Sequence, residues 1–105
     1  MAWFLILIAG LLETGWAVAM KLSQGFSRPL PSILTVLFMV GSVLLLGLAM
    51  KQLPLGTAYA VWTGIGAIGA VLVGIFFLGE SASLLRLLSL VLVFAGLVGL
   101  RLASS

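Results

Sequence analysis

The sequence predicts an all-α membrane protein: four transmembrane helices making one domain over residues 1–105. Three observations carry that prediction. Of the 105 residues, 64% are hydrophobic and only 7% charged, too little polar surface for a soluble domain. Charges and Pro/Gly punctuation cut the chain into apolar runs near the ~20 residues that a ~30 Å hydrocarbon layer requires. The runs lack the short alternating pattern of barrel strands. Helices are then the structure that satisfies its own backbone in lipid.

The first span covers about residues 2–20. "KLSQGFSRPLP" follows; Gly25, Pro29, Pro31, Lys21 and Arg28 make it read as a loop. The second span covers about 32–50, and "KQLP" is a tight turn. The third covers about 55–78, followed by "GESAS", where Ser83 or Ser81 can cap the next helix. The fourth covers about 84–100 and ends at Arg101. No length remains for a soluble domain, so function is expected in the bundle or its short loops. Ala17-Val18-Ala19 resembles a signal-peptide cleavage site. However, no basic residue precedes the apolar run and Glu13 lies within it, so a retained helix is expected.

The net charge of +3 and pI near 10.3 do not indicate nucleic acid, because the five basic residues are scattered. The chain has no Cys and no His, which excludes disulfides and thiolate chemistry. It also excludes a His- or Cys-liganded metal; no cofactor is expected. Lys21, Arg28 and Arg86 fall on one side of the predicted bundle, Lys51 and Arg101 on the other. That near balance leaves two readings open: a single orientation tipped by one charge, or insertion both ways up.

Glu13 is the residue that the composition makes costly. It lies about ten residues past Trp3, roughly 15 Å into the first span. A charge at that depth costs at least ~2.5 kcal/mol. Burial disfavours the charged form of a carboxyl, so Glu13 is expected to take and release protons near neutral pH. The bland reading is a protonated acid making one interhelical hydrogen bond. Ile6, Ala9, Gly10, Trp16, Ala17 and Met20 share its helix face, the small residues leaving room beside it. Trp16 is too deep for the interfacial aromatic belt, whereas Trp3 fits that belt.

In "GTAYAVWTGIGAIG", Tyr59 and Trp62 lie three apart on one face. They suit either plain aromatic packing or a wall for a cation. Ser42 is central in the second span, on a stripe with Ser32, Thr35 and Met39. It can bond Glu13, a substrate or its own backbone. Gly64, Gly66 and Gly69 match G-x-G-x-x-G but lie inside a span with no preceding strand. They read as a close backbone approach and a bend, not a dinucleotide site. Ala95/Gly99, Gly66/Ala70 and Ala70/Gly74 are small-xxx-small pairs suited to close helix contacts. Glu80 reads as a solvated turn residue.

Glu13, "KLSQGFSRPLPS" and "LPLGTAYAVWTGIGAIGA" together resemble the small multidrug resistance family, over the whole chain. "GLLETGWAVAMK", with Trp16 after the acid, and Ser42 resemble its guanidinium-exporter branch. The resemblance implies a dual-topology, antiparallel homodimer in a bacterial inner membrane, exchanging guanidinium for protons. Glu13 of each subunit would bind proton or cation. Ser42 and Trp16 would orient Glu13, Tyr59 and Trp62 would wall the pocket, and Gly10 would give space. Gly64, Gly66 and Gly69 would bend the third helix, while Ala95, Gly96 and Gly99 would lie in the dimer contact. A multidrug exporter of bulky quaternary ammonium or lipophilic cations shares this fold and is the alternative. A rotary proteolipid also carries one mid-membrane carboxylate, but on two helices.

Overall fold

A computed structural model describes residues 1–103. Its helices are α1 (Ala2–Leu22), α2 (Pro29–Ala49), α3 (Leu55–Phe77) and α4 (Leu84–Ala103). At 20 to 23 residues, each is long and apolar enough to cross a membrane.

All four expected spans are present, and their ends shift for local reasons. α2 starts at Pro29 rather than residue 32, so the prolines read as loop lie in its first turn. A proline there loses nothing, because the first N–H groups of a helix have no intrahelical acceptor. α1 runs to Leu22 and α4 to Ala103, past the basic residues taken as their ends. Lys21 and Arg101 sit in last turns, where a cation complements the helix dipole and its stem can follow the apolar surface.

Hydroxyls organise two of the connections. Ser23 is buried; its Oγ donates to the Met20 carbonyl (2.6 Å) and accepts from the Phe26 N–H (3.0 Å). α3 is closed off just past its last residue by Gly79 (φ +71°), and the Gly74 carbonyl takes the N–H groups of Leu78 and Glu80. Ser83 caps α4 by accepting the Arg86 N–H at 3.3 Å. Arg86 also donates to the Ser81 carbonyl (2.7 Å) and lies 3.5 Å from a Glu80 carboxylate oxygen. Glu80 is thus held in an exposed ion pair rather than free in solvent.

α1 is the central helix. It packs along α2 and α3, and α4 packs on α3 through Leu97, which lies over Gly64. The core is small: Ile6, Ala9, Leu46, Ala49, Ala58, Val61 and Trp62. The Cα trace is only 16 Å in its thinnest dimension, less than two full helix diameters, so broad apolar faces stay uncovered. α4 is the extreme case, with no buried residue among those described.

Replacing Ser83 with Ala removes the α4 cap. We expect it to lower stability by about 1 kcal/mol, read by SDS titration of the folded protein in mild micelles.

Candidate functional site

The site is built where α1 crosses α2 and α3. Ser42, fully buried on α2, donates from Oγ to the Ala9 carbonyl of α1 at 2.6 Å. It also accepts from the indole Nε1–H of Trp62 on α3 at 2.8 Å. One hydroxyl therefore ties three helices together. Ser32 and Thr35, on the same predicted stripe, instead bond back to the Arg28 and Pro31 carbonyls of their own first turn. The difference is position: Ser42 faces the backbone of α1, and Ala9 has too small a side chain to keep it away.

Trp62 is nearly buried, and the Tyr59 ring lies 5.7 Å from it at a tilt of 57°. Tyr59 itself is 54% exposed in the single chain, so its outer face is free for a further contact. The pair expected from spacing is present, anchored at its Trp62 end by Ser42.

Glu13 is part-buried just over one helical turn beyond Ala9, about 6 Å along the axis. Its carboxyl group lies directly over Gly66 of α3, in the space that any side chain at 66 would fill. The neighbouring Thr14 fills the equivalent space over Gly69. Its hydroxyl reaches the carbonyls of Gly66 (3.3 Å) and Gly10 (3.4 Å). Sequence reasoning did not single out Thr14, although a second polar residue beside Glu13 in an apolar run was the available signal.

The glycines act here by admitting neighbours. α3 is an unbroken helix through Gly64, Gly66 and Gly69, which receive Leu97, Glu13 and Thr14 respectively. Gly10 was expected to leave room beside the carboxylate. Within the single chain, Ile65 lies where a side chain on Gly10 would go, its Cβ 2.6 Å from a Cβ built at position 10. Gly10 therefore sets how closely α1 and α3 approach.

Ser42 and Trp16 were expected to orient Glu13. Within one chain the Ser42 hydroxyl is committed to Ala9. The Trp16 indole N–H is buried with no acceptor among the described residues. In hydrocarbon an unmade hydrogen bond is costly, since no water replaces it. Ala95, Gly96 and Gly99 lie on the exposed surface of α4, and side chains built on the two glycines would meet nothing within 4 Å. Among the described residues, no group of three or more metal-ligating side chains converges.

A bundle of four membrane-length helices with one carboxylate held inside the spans defines the class: a small multi-pass membrane protein. The small multidrug resistance protein family model matches residues 1–93, and the chain belongs to that family. A guanidinium exporter of Yersinia pseudotuberculosis is 62% identical over 104 residues, covering 99% of this chain and all of that one. Those of Salmonella typhimurium and Citrobacter freundii are 61% and 57% identical, each aligned over 99% of both chains.

Replacing Ser42 with Ala keeps the backbone geometry but orphans the Trp62 indole. We expect a stability loss of about 1–2 kcal/mol in the same SDS titration, with Thr at this position restoring most of it.

Proposed function

We propose that the chain exports guanidinium from the cell in exchange for protons, both competing for Glu13. One observation carries the reading: a carboxylate held in mid-span, with no cationic side chain among the described residues paired to it. Such a group is stable in hydrocarbon only when protonated or neutralised by a bound cation. The guanidinium-exporter relatives match over the full chain, which favours guanidinium as that cation.

Guanidinium is planar, and its paired N–H donors match a carboxylate in bidentate fashion. Two Glu13 carboxylates facing each other would neutralise the cation and satisfy its donors from both edges. Departure of the cation would leave both carboxylates uncompensated, so each would recruit a proton. Two protons would then exchange for one cation, and the pair would titrate as a unit.

A second copy of the chain supplies the second carboxylate on this reading. The wholly unburied α4 and the near balance of charge between the two ends support an antiparallel, dual-topology homodimer in a bacterial inner membrane. Residues of α4 around Ala95, Gly96 and Gly99 would form much of its contact. The unpaired Trp16 N–H would find its acceptor in the assembled site, at Glu13. Tyr59 and Trp62 would wall the pocket, with Ser42 fixing the wall. Two identical subunits that swap conformations make the outward- and inward-facing states equal in energy, so alternating access needs no further device.

The rival occupant of the same fold is a bulky lipophilic cation. Ser42, Trp16 and the close α1–α3 approach favour a small cation that forms hydrogen bonds.

In proteoliposomes containing only this protein, a guanidinium gradient is expected to drive proton movement, and Glu13→Gln to abolish it while assembly persists. A response to tetraphenylphosphonium but not to guanidinium would move the protein to the multidrug branch. Silence with both would overturn self-sufficient transport. Gly66→Ala should also lose guanidinium-driven flux, because the added methyl takes the place of the Glu13 carboxyl group.

A further inference from the structure

A separate apolar cleft of about 330 Å³ lies between α1, α3 and α4, away from Glu13. It exists because α4 packs on α3 and leaves the first turns of α1 uncovered. Trp3, Ile65, Phe94, Leu97 and Val98 line it, and Arg101 is its one charged residue.

The Arg101 guanidinium sits 4.7 Å from the centroid of the Trp3 ring, in a cation–π contact. A cation–π contact does not use up the five N–H donors of a guanidinium, which leaves donors along its edge for other partners. No hydrogen bond or ion pair links that edge to another of the described residues. Trp3 lies in the first turn of α1 and Arg101 in the last turns of α4, so both belong at the membrane–water boundary. Phe94 lies seven residues deeper, roughly 10 Å into the hydrocarbon. The rim residues Leu7 and Leu102 are exposed in the single chain, so the cleft has a side opening between the helices.

We infer that this cleft is a binding site for an anionic phospholipid. One acyl chain lies along Leu97 and Phe94, and the phosphate takes the free N–H edge of Arg101. The choice of occupant rests on charge complementarity: an apolar slot that ends in one cation with no ion pair among the described residues, at headgroup depth. A zwitterionic lipid offers the same chain but a weaker net attraction to Arg101. A free phosphate offers the charge without the chain.

Native mass spectrometry of protein released from mixed phosphatidylglycerol and phosphatidylcholine bilayers tests the assignment. The wild type should retain phosphatidylglycerol over phosphatidylcholine by about fivefold, the effect of one basic side chain near an anionic headgroup. Arg101→Met should reduce that ratio to the input composition, and Arg101→Lys should keep most of it. Val98→Trp, which fills the slot, should lose both lipids, and inorganic phosphate should not displace bound phosphatidylglycerol. An unchanged ratio in Arg101→Met, or full retention in Val98→Trp, overturns the proposal. So does an interchain disulfide formed by Val98→Cys, which would put a second copy of the chain in the cleft.

Discussion

Hydrocarbon does not tolerate an uncompensated carboxylate, and the arrangement around Glu13 follows from that constraint. The side chain is laid against the helix that offers least resistance: Gly66 presents bare backbone, and Gly69 makes the same concession to Thr14. Gly10 does the reverse, opening α1 to Ile65 of α3. Three glycines on two helices thus fix the α1–α3 distance on both sides of the acid. On the proposed reading, a carboxylate placed against backbone, and not against a Lys or Arg, keeps its charge available to a mobile ligand. A fixed cation beside it would neutralise it permanently and end any exchange.

The second organising contact is the Ser42 hydroxyl. It spends its single proton on the Ala9 carbonyl and accepts from Trp62, so three helices meet at one oxygen. Such bonds are modest individually in membranes, but they fix rotation of each helix about its axis, which apolar packing alone does poorly. The Trp16 indole shows the opposite condition, a buried donor without an acceptor among the described residues. Together with α4, which leaves every described residue unburied, it marks the single chain as an incomplete unit on the proposed reading. Thinness has the same meaning: a 16 Å slab has too little depth to close a pocket around a cation by itself.

Much of the fold was legible because the membrane imposes a simple code. Runs of about 20 apolar residues between charges gave all four helices, and errors were confined to their ends. Pro29 and Pro31 looked like loop because proline is read as a breaker, yet at the start of a helix it breaks nothing. The cost of Glu13 was equally visible, as was the Tyr59–Trp62 pair, since both follow from depth and helical period. Bond partners were not legible. Period places Ser42 on a face but does not say that its acceptor is the backbone of Ala9. The neighbour of Gly10 was not legible either, because an absent side chain does not say which residue of the next helix will lie against it; here it is Ile65. Thr14 was passed over for a related reason: its partners are carbonyls, which every residue has.

The central claim is that protons and guanidinium occupy the same carboxylates in turn. Counting protons released per guanidinium bound, by titrating the purified protein in weakly buffered solution, tests it most directly. The account predicts proton release with each cation bound, approaching two per dimer at a pH where both Glu13 side chains start protonated, and none from Glu13→Gln. Guanidinium binding with no proton release at any pH would contradict it.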